Sequence, residues 1–281
     1  MRWLSDLVGI YSRFTIQGKL GLWIMVGMVA MAIFAPIIAP HDPHFQNSEV
    51  FLAPPSAEYL FGTDHIGRDV LSRVIYGSRV SLAVAALAVA WSAAVGVIWG
   101  GIAGYRGGLF DDVLMRIADA VMAFPGIVLA IALVAVLPPS IPTLAFALGV
   151  GASASYARLV RGEILSLKEE SFIEAVEGLG MSERNILLRE ILPNSFQPVL
   201  VQMTFNFPLA ILGEAGLSFL GLGIQSPTAS WGRMIQLNQT HMPEVWWPVI
   251  FPGLAIFLTV MGFNLMGDDI QDEWDPFSEQ L

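Results

Sequence analysis

Residues 80–104 read VSLAVAALAVAWSAAVGVIWGGIAG, from Val80 to Gly104, without a charged side chain. A helix needs about 20 mainly apolar residues to cross the hydrocarbon core of a bilayer, so this run is long enough to span. Working outward, five further segments meet the same criterion: about 20–39, 117–137, 141–158, 196–222 and 247–267. Composition agrees with that reading. Apolar types make up 55% of the 281 residues and charged types 14%, with a mean hydropathy of +0.64. A soluble domain carries about 25% charge, so this chain could not cover its surface with polar groups. The expectation is an all-α membrane protein with six transmembrane helices, not a soluble enzyme or a disordered chain.

The first span, 20–39, has a cleavable signal peptide as its alternative reading. Its charged lead-in of 19 residues and its apolar run exceed that pattern, so it reads as an uncleaved anchor. Before it, residues 1–19 place Trp3, Leu4, Leu7, Val8, Tyr11 and Phe14 at helical spacing. Such a segment lies flat on the inner leaflet or packs on the protein itself. Segments 40–79 and 223–246 are external, 159–195 is internal, and 268–281 is an acidic, solvated cytoplasmic tail.

Lys and Arg set the orientation. With a cytoplasmic N-terminus, the inner side receives Arg2, Arg13, Lys19, Arg106, Arg116, Arg158, Arg161, Lys168, Arg184 and Arg189. The outer side receives Arg68, Arg73, Arg79 and Arg233. Ten against four places both termini in the cytoplasm. No cysteine is present, which excludes disulfides, thiolate metal sites and Cys nucleophiles. The net charge of −10 argues against nucleic acid as a partner.

The internal segment carries the most local structure. Ser171, Phe172, Ile173 and Glu174 have the spacing of a capping box, in which a hydroxyl and a carboxylate each satisfy the other residue's amide. Phe172, Ala175, Val176 and Leu179 then form an apolar stripe. Gly178 and Gly180 are suited to end the helix, because glycine accepts the left-handed C-terminal conformation. Ser182 can cap a second helix bearing Ile186, Leu187, Ile191 and Leu192, which Pro193 would stop. The stripe must be buried, either on the protein's own helix ends or in a soluble partner.

These residues resemble a known family. Glu174-Ala175-Val176, then Gly180, running on to Ile191-Leu192-Pro193-Asn194, is similar to the EAA motif of ATP-binding-cassette importer permeases. The stretch Phe61 to Arg73 resembles the segment before the second span in the C-type permeases for dipeptides, oligopeptides and nickel. Glu214 to Gly223, with Ser230-Trp231-Gly232 after it, resembles the end of the fifth span there, and Gly267-Asp268 with Asp275-Pro276 resembles the family's C-terminal signature. Val176 replaces the motif's second alanine, and Gln271 stands where an arginine is usual.

The resemblance implies a type I ABC importer permease fold in a prokaryotic inner membrane, with 80–267 as the permease core. It also implies that Ser171, Phe172, Ile173, Glu174, Ala175, Val176, Glu177, Gly178, Leu179, Gly180 and Met181 form a coupling helix that docks on an ATPase. The partners implied are two ABC ATPase subunits, a homologous B-type permease subunit and an extracytoplasmic solute-binding protein. The substrate implied is a di- or oligopeptide, with nickel, glutathione or an oligosaccharide as alternatives within the family.

Energy must come from elsewhere. The Gly18-Lys19 pair is followed by Leu20, and no GxxxxGK[ST] loop exists to hold a nucleotide. ATP and magnesium are therefore expected on the partners, with no cofactor and no metal on this chain and no catalytic residue. An ion-coupled secondary transporter would show inverted repeats with broken midplane helices, and none is clear. A membrane-embedded enzyme lacks support, since neither HExxH nor GxSxG occurs.

Within the fifth span, Asn206, Pro208 and Glu214 are candidates for the pathway or its gating, because intramembrane polar groups are costly. Glu214 falls near the outer end, where water or an arginine could reach it, so a structural role is the rival reading. Asp119 has Arg116 one turn away as its expected partner. Pro125 is expected to bend its helix. His41, His44, His65 and His241 read as solvated loop residues, with a nickel site as the alternative. Asn238-Gln239-Thr240 matches the glycosylation pattern, a short match that arises often by chance.

Overall fold

The computed structural model describes residues 14–182 and 185–274. Helix α1, Ile16–Ile33, starts at Thr15, whose hydroxyl accepts the Gly18 amide at 3.2 Å. A short helical segment, Ala35–Ile38, and a stretch of turns follow and lead into α2, Val70–Arg106, a helix of 37 residues capped by Asp69. At 1.5 Å per residue α2 is about 55 Å long, well beyond the ~30 Å hydrocarbon core. It begins ten residues before the expected span, and that extra length packs against the segment of turns that precedes it. There Arg68 and Arg73 are 3% and 1% exposed and share Asp64, with Arg68 Nε 2.7 Å and Arg73 Nε 3.6 Å from its Oδ2. Two of the four arginines counted as external in the orientation expectation are thus committed to Asp64.

Gly107 and Gly108, both at positive φ, turn the chain into α3, Gly108–Met122. The expected span 117–137 is not one helix. It breaks after Met122, and α4, Gly126–Val136, leaves at 88°. The physical reason is Pro125, which has no N–H to continue the ladder and disfavours helical backbone at Phe124. A hydropathy average cannot register this, because both sides of the break are apolar. α4 has 11 residues and reaches about 16 Å, half a membrane.

α5, Ile141–Lys168, is capped by Ser140, and a short helix α6, Ser171–Gly178, follows. The chain then passes through a π-helical turn, Ile186–Ile191, and a helical segment, Leu192–Asn194, into α7, Phe196–Phe219. Next comes α8, Trp231–Asn238, capped by Ser230. The last helix, α9, is Trp247–Trp274. Five of these helices are long and apolar enough to cross a membrane, or six if the bent α3–α4 pair is counted as one span.

The core is organised around α2 and α5, which run in close contact. Gly96, Gly100 and Gly104 recur at every fourth residue of α2 and face α5. A methyl added at Gly96 would come within 2.8 Å of the Ser153 carbonyl oxygen, and one at Gly104 within 3.1 Å of the Arg161 oxygen. At Gly100 it would lie 3.0 Å from the Ala157 carbonyl carbon and nearer still to its oxygen. Lipid tails do not drive helices together, so such small-residue stripes let backbones meet and gain packing instead. α9 continues helically through Asp268 and Asp269, so the acidic stretch is not wholly a solvated tail. Asp269 is 8% exposed and accepts from Thr15 N and Oγ1 at 2.7 and 2.8 Å, clasping α1 to α9. Residues 1–13, which carry most of the expected interfacial helix, and 275–281, including Asp275-Pro276, lie outside the described residues.

Candidate functional site

α5 ends at Lys168, whose Nζ donates to the Tyr105 carbonyl at 3.0 Å, and the chain turns at once into α6. Ser171 is the first helical residue rather than the cap outside it, and the Glu170 carbonyl accepts the Ile173 amide at 3.0 Å. The side chains of Glu174 and Glu177 lie outside the described residues, and with them the reciprocal half of the capping box. At the other end Gly180 has φ +81°. Leu179 N donates to Ala175 O and Met181 N to Val176 O, each at 3.1 Å. The second bond closes the six-residue loop that a left-handed residue allows, and it satisfies carbonyls that the helix end would orphan.

The stripe expected on α6 divides into two faces. Ile173 is 2% exposed and, with Val176 and Met181, packs on Val160, Ile164, Ile186 and Ile191. That face holds α6 on the protein's own helix ends. Phe172, Ala175 and Leu179, spaced i, i+3, i+7, point away; Phe172 is 39% and Leu179 86% exposed. Burying Ile173 contributes about 1.5–3 kcal/mol, which makes α6 a fixed platform for the exposed face.

The segment after α6 corrects one expectation. Ser182 O accepts the amides of Asn185 and Ile186 at 2.8 and 3.0 Å, but Pro193 does not stop the helix. The π turn before it shifts the bonding register, so Leu192 N reaches Leu187 O, and Pro193 falls in a first turn where no N–H is required.

The pathway candidates separate. Asn206 lines a cavity of about 450 Å³ between α2, α5, α7 and the α3–α4 break, together with Leu209, Ala210 and Gly213 on its own helix face. Ser92 from α2, Phe124 and Ile127 at the break, and Gly149 and Ser155 from α5 complete the wall. The broken helix thus shapes the cavity. Ser92 and the glycines of α5 were hidden in sequence by their apolar neighbours. Pro208 is buried within α7 and does not line the cavity.

Glu214 is elsewhere and is 0% exposed. Its partners are serines rather than an arginine. Ser218 Oγ donates to Oε1 at 2.7 Å and Ser81 Oγ to Oε2 at 2.8 Å, while Ser230 Oγ donates to Ser218 Oγ at 3.3 Å. This carboxyl ties α7 to α2 and to the cap of α8, a structural junction. Removing one partner from such a network leaves buried groups unsatisfied.

Asp119 pairs with Arg158 rather than Arg116, at 2.5 Å. Both are more than half exposed, so the pair is worth about 0–1 kcal/mol. Arg161 grips Asp111 with two bonds, Nε–Oδ1 at 2.5 Å and NH2–Oδ2 at 2.6 Å. Together the two pairs fasten α3 to α5. His41 stacks on Tyr59 at 5.0 Å and its Nδ1 lies 3.4 Å from Asp69, while His65 Nδ1 is 3.0 Å from Asn238 Oδ1. These two are packed rather than solvated. Among the described residues no three His, Asp or Glu side chains group to hold a metal. Asn238 is 1% exposed, so the glycosylation match falls on a buried side chain.

A nearly all-helical chain with five or six apolar spans, a buried polar junction and an uncharged cavity between spans defines a polytopic membrane protein. Residues 96–276 match the family described as the binding-protein-dependent transport system inner membrane component, and residues 18–55 match the N-terminal TM domain of oligopeptide transport permease C. The chain belongs to this family of multi-pass inner-membrane permease components. It is 43% identical to the dipeptide transport system permease protein DppC of Alkalihalophilus pseudofirmus, over 91% of this chain and 84% of that one. It is 40% identical to the oligopeptide transport system permease protein OppC of Bacillus subtilis, over 91% and 84%. The glutathione transport system permease protein GsiD of Escherichia coli is 44% identical over 89% and 82%. In fold it resembles a chain from the crystal structure of an amino acid ABC transporter with histidines, at a TM-score of 0.54 and 18% identity over 74% of this chain and 94% of that one.

Proposed function

We propose that this chain is the C-type permease subunit of an ATP-driven importer for di- and oligopeptides, with both termini in the cytoplasm. It forms half of the translocation pathway and pairs with a homologous B-type subunit. An extracytoplasmic binding protein delivers the peptide, and two ABC ATPases bind ATP and magnesium, with no cofactor on this chain. The observation that carries this reading is α6, whose Ile173 face is fixed in the core while Phe172, Ala175 and Leu179 remain exposed. A soluble partner that covers the outer face can push on the inner one, and Ile173 passes the push to α5 and the π turn. Peptide as substrate is supported by relatives named for dipeptide, oligopeptide and glutathione transport, all peptide-like molecules.

The driving force is quantitative. Shifting a two-state carrier from 1:99 to 99:1 takes about 5.5 kcal/mol of differential free energy, which ATPase closure has to supply. In cells lacking only this chain, uptake of radiolabelled dialanine is expected to fall to background and return when the gene is restored. The purified chain is expected to hydrolyse no ATP until the copurifying ATPases are returned. Undiminished uptake without the chain, or hydrolysis retained after every ATPase is removed, would overturn the proposal.

A further inference from the structure

The cavity at the α3–α4 break has a chemistry that narrows what can pause there. None of its lining side chains is charged. Its wall is mostly carbon, interrupted by Ser92, Ser155 and the Asn206 carboxamide. Ser92 Oγ donates to the Val89 carbonyl at 3.0 Å, so its proton is engaged. Asn206 Nδ2 is buried beside the Tyr156 hydroxyl, with which it makes no well-aligned hydrogen bond. A carboxamide carries two N–H donors, so a contact with one hydroxyl leaves a donor for an acceptor entering the cavity. The volume of about 450 Å³ falls in the ordinary range for small-molecule sites, roughly 300–1,000 Å³.

We infer that this cavity is a station for an uncharged peptide-bond group, held by the Asn206 carboxamide beside Ser92 and Ser155. A carboxamide offers two N–H donors and one carbonyl acceptor, the same set a peptide bond needs in reverse. An ammonium or carboxylate terminus would enter without a counter-charge, which a carbon-lined wall penalises heavily. A metal ion would find no anionic ligand, and a sugar would find too few polar partners for its hydroxyls. This chain's half of the passage therefore reads the backbone of the cargo, and leaves charge to other surfaces. Small wall residues such as Gly149, Gly151 and Ala152 leave room for varied side chains. The inference rests on the peptide-importer reading and specifies the chemistry of its pathway.

The test places a charge in the wall. Uptake of radiolabelled Ala-Ala, Ala-Lys and Ala-Glu is measured in cells carrying the complete transporter, with wild-type chain, Asn206→Asp or Asn206→Gln. Asn206→Gln keeps an uncharged carboxamide and is expected to leave the Ala-Lys to Ala-Glu ratio at the wild-type value, whatever the absolute rates. Asn206→Asp is expected to shift the Ala-Lys to Ala-Glu ratio by about tenfold in favour of Ala-Lys. The ratio is taken within one variant, so the amount of folded protein cancels, and the binding protein's own preference is common to all variants. Should Asn206→Asp transport none of the three, Ser155→Asp is scored by the same ratio. An unchanged ratio, or equal loss of all three peptides in both Asp variants, would overturn the station. Wild-type cells that import none of the peptides would overturn the peptide-importer reading itself, a result separate from the first.

Discussion

Leu179→Glu and Gly180→Pro are each expected to abolish ATP-driven peptide uptake while the chain still inserts in the membrane and is recovered at near wild-type amounts. The two changes act on one helix by different routes. Leu179 is 86% exposed, so a carboxylate there costs the isolated chain almost nothing. Against a partner's apolar cleft it buries an unpaired charge and costs about 3 kcal/mol or more, a hundredfold or greater loss of assembled complex. Gly180 has open space around it, so added bulk meets no atom. Its φ of +81° is nevertheless closed to proline, which is held near −65°. The turn that closes α6 then cannot form, and the outer face is lost with it. Ile173→Glu supplies the contrast. That side chain is 2% exposed in the core, so its replacement should lower the amount of folded protein itself. Uptake assays paired with membrane immunoblots separate the two kinds of loss.

The second large effect is expected on the glycine stripe of α2. Gly100→Leu should leave little or no folded protein, because even a methyl there collides with the Ala157 carbonyl of α5. Backbone cannot give way as a flexible side chain can, so α2 and α5 must separate along their length. Gly100→Ala forces a smaller separation and is expected to cost about 2–3 kcal/mol, within the range known for overpacked cores. Gly101, next in sequence, has Leu192 Cδ2 as its nearest neighbour at 3.9 Å. Gly101→Ala should therefore be nearly neutral, with alanine's higher helix propensity in its favour. Thermal melts in detergent, read by fluorescence-detected size exclusion, would place the three variants in that order.

The contrast between Gly100 and Gly101 shows what was legible in the sequence and what was not. Apolar runs long enough to span a bilayer were plain in composition, because the constraint is one-dimensional: length and charge. The turn at Gly180 was legible for a similar reason, since its chemistry is local. Which face of a helix meets which neighbour is not local. Phe172 and Val176 read as one stripe, yet they part on α6 because α5 and the π turn occupy only the Ile173 side. Glu214 looked accessible from its depth in the span, whereas Ser81, 133 residues earlier, closes over it. Asp119 found Arg158 across a helix interface rather than Arg116 on its own turn. The break at Pro125 lay within reach of sequence reasoning, but its 88° angle, and the cavity it shapes, depend on how α4 packs against α5.

The most direct measurement uses the absence of cysteine from the chain. Leu179→Cys gives a single thiol on the exposed face of α6, and Ser48→Cys gives one on the exposed segment between α1 and α2 as a control. Each is treated in membranes of the complete transporter with a short thiol-to-amine crosslinker. The account predicts that Cys at 179 joins an ATPase subunit, that ATP changes the yield, and that Cys at 48 does not join it. An ATPase crosslinked from position 48, or none captured from 179 while transport is intact, would contradict it.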